Sequence, residues 1–224
     1  MRTCYREDRS NLTYKQTIMS RPEDRSITSE LFFQGITLGG MVAIFWVVEI
    51  LDQVLFRGQL DRFGILPHSI IGLRGLVFAP FLHGGFGHLI ANTVPFLILG
   101  WLVMWQRTRD FFIVTPIVML IGGLGTWLFG GSSVHIGASG LIYGYFGFLL
   151  LRGFYERNLA SIILSLGVFF VYGSLIWGVL PSDPRISWQG HLFGFVGGVL
   201  AARFIGKRSR SQRQAEAWKD DLGL

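Results

Sequence analysis

The chain has 224 residues, 50% of them hydrophobic and 15% charged, with 30 glycines and a formal net charge of +6. That balance is too apolar for an ordinary soluble domain, and so many small residues suit helices packed closely in lipid. The single cysteine, Cys4, excludes an intrachain disulfide, and the basic excess lies at the two ends and in short loops, not in a patch that would grip nucleic acid.

Residues 1–34 are polar and charged at the start and lack the apolar core of a signal peptide, so they are expected to form a flexible cytoplasmic segment. Six apolar segments follow, at 35–55, 88–105, 111–130, 139–151, 159–180 and 190–205, each bounded by charges or turn residues. They predict an all-α polytopic membrane protein, one six-helix bundle over 35–205, although several segments fall short of the ~20 residues that a full crossing needs. The connection 56–87 is long, partly apolar and broken by Gly and Pro, which predicts a partly helical loop lying in the outer interface. The tail 206–224 is basic and is expected to be a cytoplasmic surface helix.

Orientation follows from Lys and Arg. With the N-terminus inside, 16 of the 20 basic side chains fall on the cytoplasmic side, and Arg57, Arg62, Arg74 and Arg185 fall outside. Both termini are therefore expected in the cytoplasm.

Polar groups are expensive inside a bilayer, so each one asks for a reason. His88 and Asn92 begin the second segment, Ser139 the fourth and His191 the sixth. Even-numbered crossings run in the same direction, so these four side chains gather at one depth on the outer side. If Arg152 marks the inner interface, the helix from Ser139 to Leu151 covers only ~20 Å of a ~30 Å hydrocarbon layer, which sinks Ser139 below the outer surface. Gly140, Gly144 and Gly147 on the fourth segment and Gly194 and Gly198 on the sixth, with Gly190 and Gly197 beside them, form two small-residue faces that permit close approach. Ser139 and His191 then meet as nucleophile and base. Tyr143, one turn after Ser139, is placed to stack on the imidazole.

No acid is positioned to complete a triad. Asp183 precedes His191 in a loop, while Glu49 and Asp52 either face the interface or tie down the long first loop. The expected chemistry is a Ser–His dyad without a carboxylate. The backbone N–H of Ser139, at a helix N-terminus, together with His88 and Asn92 at i and i+4, supplies donors for a developing oxyanion. Taken singly, such a Ser is an N-cap and such a His or Asn is interhelical glue; four at one depth outweigh that reading. His68, His83 and His135 keep the structural role of loop residues.

These residues resemble a known family. Gly137-Ala138-Ser139-Gly140 is similar to the GxSG motif of rhomboid proteases, His88 to Asn92 resembles their HxxxN motif, and His191-x-x-Gly194-x-x-x-Gly198 resembles their last core helix. The resemblance covers 35–205, and the stretch from Gly72 to His88 is similar to the family's first loop, though Leu73 stands where many relatives carry Trp. It implies cleavage of membrane-anchored substrates near the outer face, with Ser139 attacking, His191 as base then acid, His88 and Asn92 in the oxyanion hole, Tyr143 packed on His191, and no metal or cofactor. An inactive relative that binds transmembrane helices is the nearest alternative. A transporter would show inverted repeats, and none is visible; a metalloprotease would need a His-Glu-x-x-His, which is absent. Oligomeric state and substrate stay open, and a prokaryotic cell membrane is the expected location.

Overall fold

The computed structural model describes residues 27–181 and 186–221; Cys4, Asp183, Arg185 and residues 1–26 of the expected flexible segment 1–34 lie outside the described residues, while its last part, 27–34, is helical. Helices cover each of the six apolar segments: α1 (Ile27–Leu51), continued by a π-helical turn Asp52–Phe56, α2 (Phe86–Met104), α3 (Thr108–Phe129), α4 (Ser139–Glu156), α5 (Leu159–Tyr172), continued by 3-10 turns Gly173–Val179, and α6 (Trp188–Asp221). Among the described residues the fold is all-helical, with one isolated bridge between Ile65 and His135.

Four helical stretches are long and apolar enough to cross a membrane: Ile27–Phe56, Phe86–Met104, Thr108–Phe129 and Leu159–Val179. α4 and α6 are less apolar, and packing explains why. Every residue from Leu141 to Leu149 is buried by protein, so α4 meets other helices where its neighbours meet lipid. α1 and α5 instead carry rows of exposed apolar side chains such as Ile44, Val47, Ile163 and Phe170. α1 also starts at Ile27, upstream of the expected 35, and α6 runs unbroken from the bundle into the basic tail.

The centre of the bundle is the α4–α6 contact. A Cβ placed on Gly198 would lie 1.8 Å from the carbonyl oxygen of Gly144, and one on Gly194 would lie 2.3 Å from that of Gly140. Gly147 meets the carbonyl of Phe195 in the same way, at 2.5 Å. No side chain fits in this seam; backbone packs on backbone, as the two glycine faces predict.

The opposite end of α4 is held by charge. Arg152 is buried among the other helices, 1% exposed, and the helix continues past it to Glu156. Its guanidinium bonds Asp110 of α3 at 2.9 Å and Glu156 at 3.2 Å, and reaches the Val103 carbonyl of α2 at 3.4 Å. Arg107 bonds Asp110 at 3.0 Å and also reaches Glu156 and Ser209 of α6. Buried charges persist only when paired, and here two arginines meet two carboxylates. Over its full 18 residues α4 rises roughly 27 Å.

The first loop is folded in short helical turns over Leu60–Phe63, Ile70–Arg74, Gly75–Phe78 and Ala79–Phe81. Asp52 ties it down by accepting the Leu60 N–H at 2.8 Å. Trp127 of α3 donates to the Ser69 carbonyl at 2.8 Å, and the Arg74 guanidinium lies 4.3 Å over the Phe63 ring. This is how the loop packs without a Trp at 73. Asp61 sits half-buried beside Asp52 and Glu49, and burial together with those two like charges pushes its carboxyl up to about 6.

Two outcomes follow. Gly198→Val forces the α4–α6 seam apart and lowers the melting temperature in detergent, whereas Gly167→Val, where nothing lies within 4 Å, leaves it unchanged; equal effects would contradict the seam. A carboxyl raised in the folded state binds its proton more tightly folded than unfolded, so it lowers stability as pH rises from its ordinary range through about 6. Asp61→Asn is therefore expected to raise the melting temperature at pH 7.5 and to leave it unchanged at pH 4, read by thermal unfolding at both values.

Candidate active site

Ser139 opens α4 immediately after a strained turn. Gly137 has φ +112° and donates its N–H to the Ala79 carbonyl of the first loop at 2.9 Å. A Cβ at Gly137 would also stand 2.7 Å from His88 Cε1 and 2.8 Å from Nε2. Glycine is thus required here twice, for its backbone angle and for room. The consequence is that the His88 ring edge lies directly against the turn that presents Ser139. Asn92, buried one helical turn further along α2, bonds the His88 carbonyl through Nδ2 at 3.1 Å. As the first residue of α4, Ser139 has a backbone N–H with no intrahelical acceptor, at the positive end of the helix dipole.

His83 steadies this edge. It is wholly buried, its ring lies 5.2 Å from that of His88 and 5.6 Å from that of Phe45, and burial pulls its pKa down to about 4, which keeps it neutral.

His191 lies on the first turn of α6, facing α4. The Gly140 Cβ position is 3.6 Å from the Gly190 carbonyl oxygen, so the residue after Ser139 touches the residue before His191. The Tyr143 ring stacks on the imidazole at 4.0 Å between centroids and 10° between planes. His191 Nδ1 is 2.9 Å from the carbonyl oxygen of Gly178. A carbonyl only accepts, so Nδ1 carries the proton, and in the neutral ring Nε2 is left as an acceptor. Gly178 also has no room for a side chain, because a Cβ would fall 1.8 Å from the Tyr143 hydroxyl oxygen. One backbone group therefore orients the imidazole in the place where a triad would use an acid. The Ser139 hydroxyl has no hydrogen-bond partner among the described residues, a looseness common in sites without substrate.

Ser139, His191, His88, Asn92 and Tyr143 all line one cavity of about 720 Å³. A second, small cavity of about 50 Å³ lies on the other side of Ser139, under the first loop. His135 and Ser187 border both cavities and share a hydrogen bond of 2.6 Å between Nδ1 and Oγ. Ser187 Oγ in turn accepts the Gly190 N–H at 3.3 Å, and His135 exchanges both backbone hydrogen bonds with Ile65 at 2.9 Å. Each member lies four residues before a site residue, His135 before Ser139 and Ser187 before His191. Sequence reasoning placed His135 among plain loop residues and passed over Ser187 and Gly178. The paired spacing was a usable signal for the first two; a backbone carbonyl leaves none. Among the described residues no group of three His, Cys, Asp or Glu is placed to hold a metal ion.

The arrangement can pass a hydroxyl proton to an imidazole beside a cluster of N–H donors. Comparison with known proteins agrees with this picture. A family model described as "Rhomboid domain" matches residues 72–208, which takes in Ser139, His191, His88 and Asn92. An uncharacterized protein of Mycobacterium tuberculosis is 43% identical over 194 residues, covering 83% of this chain and 79% of its own. YdcA of Bacillus subtilis, named as a candidate rhomboid protease, is 33% identical over 126 residues, covering 53% of this chain and 60% of its own. RHOMBOID-like protein 4 of Arabidopsis thaliana is 32% identical over 135 residues, covering 56% of this chain and 32% of its own. With its apolar helices and this match over most of its length, the chain is an integral membrane protein of the rhomboid family.

Proposed function

We propose that this protein is an intramembrane serine endopeptidase that cleaves transmembrane or membrane-anchored proteins near the outer face of the membrane. The observation that carries the reading is the imidazole of His191, fixed by the Gly178 carbonyl and the Tyr143 ring with Nε2 free, in the cavity that also holds Ser139. Ser139 Oγ attacks the scissile carbonyl carbon while its proton passes to His191 Nε2. The oxyanion is met by the Ser139 N–H, His88 and Asn92. Collapse breaks the C–N bond, and His191 returns the proton to the leaving amine. Water, activated by the same imidazole, then hydrolyses the acyl-enzyme and restores the serine. The cavity of about 720 Å³ that these groups line has room for that water.

In this reading all six helices cross the bilayer, α4 and α6 as inner helices shielded by the others. Both termini face the cytoplasm, consistent with 16 of the 20 Lys and Arg falling on that side. The bacterial relatives favour a prokaryotic cell membrane.

The test is cleavage of a fluorogenic transmembrane peptide by purified protein in detergent. Wild type cuts; Ser139→Ala and His191→Ala are both dead, and Asn92→Ala keeps measurable turnover, lower by ~10²–10³ as for loss of one oxyanion donor. A fully active His191→Ala would sink the dyad. No cutting of several substrates, with no fluorophosphonate labelling of Ser139, would instead support a helix-binding relative without activity.

The His135–Ser187 bond clasps the turn carrying Ser139 to the helix carrying His191, and in this reading it positions the dyad. Ser187→Ala is expected to lower kcat about tenfold with KM unchanged, as for a loss of ~1.4 kcal/mol in the transition state alone, and Ser187→Thr to restore it. An unaltered kcat in a Ser187→Ala protein of normal melting temperature removes the clasp from the mechanism.

A further inference from the structure

Two unpaired cations stand beside the buried ionic network. Arg107 and Arg152 are matched by Asp110 and Glu156, but Arg109 and Arg208 are exposed and have no ion-pair partner among the described residues. They border the same groove of about 150 Å³ between the start of α3 and the far part of α6, together with Ile113, Phe204 and Ile205. The register of the two helices explains the meeting. Gly122 lies against Gly194, and Gly197 against Val118, so α3 and α6 run antiparallel. Continued toward the end of the bundle, the same register sets Ile113 opposite Phe204 and, one turn on, Arg109 opposite Arg208.

Arg107, Asp110 and Ser209 complete its wall, and the one carboxylate among them, Asp110, is buried and already paired with both Arg107 and Arg152, so the groove is cationic at its mouth beside an apolar wall. Its mouth is also at the right depth. Arg109 is the second residue of the membrane-crossing stretch Thr108–Phe129, and exposed Trp105 ends the neighbouring helix at the same level. Phe204 is 56% exposed, which leaves an apolar wall open to lipid. Two like charges side by side at a membrane interface attract an anion, and the wall below them accepts a hydrocarbon chain.

We propose that this groove binds one anionic phospholipid, its phosphate bridging Arg109 and Arg208 and an acyl chain lying along Ile113 and Phe204. A zwitterionic lipid brings its own cation to the mouth and is the poorer ligand. Taking about 1 kcal/mol per basic residue near an anionic surface, the two arginines give roughly a 30-fold preference.

The experiment is native mass spectrometry of the full chain, exchanged into detergent with equal amounts of phosphatidylglycerol and phosphatidylcholine. Wild type is expected to retain one phosphatidylglycerol. The double variant R109Q/R208Q loses it, whereas R203Q/K207Q, which changes exposed cations outside the groove, keeps it. Millimolar glycerol 3-phosphate does not displace the lipid. Equal retention of phosphatidylcholine, equal loss in both double variants, or displacement by glycerol 3-phosphate each overturns the proposal. Should R109Q/R208Q melt early, the two single variants decide, each expected to weaken retention at normal melting temperature. The readout is binding, so it stands whether or not the chain cuts peptides.

Discussion

Everything in this fold hangs on how near α4 and α6 can come. Their glycines remove side chains from the seam until a Cβ on Gly198 would sit 1.8 Å from a neighbouring carbonyl oxygen. In lipid there is no hydrophobic penalty to drive helices together, so association depends on close van der Waals contact and satisfied polar groups. Close backbone packing also fixes rotation and height. Ser139 and His191 stand at the same end of the seam, and the seam holds them there.

Polar groups clamp the two ends of α4 in different ways. At one end Arg152 and Glu156 are buried in a network that joins α2, α3, α4 and, through Arg107 and Ser209, α6. Removing one partner from such a set leaves a charge stranded, typically at a cost of about 3–5 kcal/mol. At the other end the groups are neutral and border a cavity. A charged, tightly paired foot and a head open to a cavity suit the proposed role, in which the first residue of α4 meets a substrate while the rest stays still.

Much of this was legible from the residues, and the misses have a common cause. Ser139, His191, His88, Asn92 and Tyr143 were visible because polar side chains in apolar segments are costly and therefore conspicuous. Gly194 and Gly198 were visible because their spacing repeats the helical turn. What Arg152 binds was not visible, because a sequence shows a charge but not its partner, and Asp110 comes beside it only in the fold. α4 shows the same limit from another side: a segment enclosed by protein can be less apolar than the helices around it. Gly178 was invisible, since what it contributes is a carbonyl oxygen that every residue has. The His135–Ser187 pair left a trace in its spacing to Ser139 and His191, but the bond between the two loops appears only in the fold.

That carbonyl explains why no carboxylate stands beside His191 among the described residues. A charged acid packed against this buried ring would have to be desolvated, and an imidazole beside it would be drawn toward the charged form, unable to accept a proton. A backbone oxygen fixes the same tautomer with a partial charge already present in the fold. It gives less stabilisation to an imidazolium than an ionised acid does, so the burden shifts to geometry: the ring must be held still. Tyr143 does that from one face, and the absence of a side chain at Gly178 lets the tyrosine reach it. Among the described residues, then, the imidazole is oriented by packing and a backbone dipole in place of a charge.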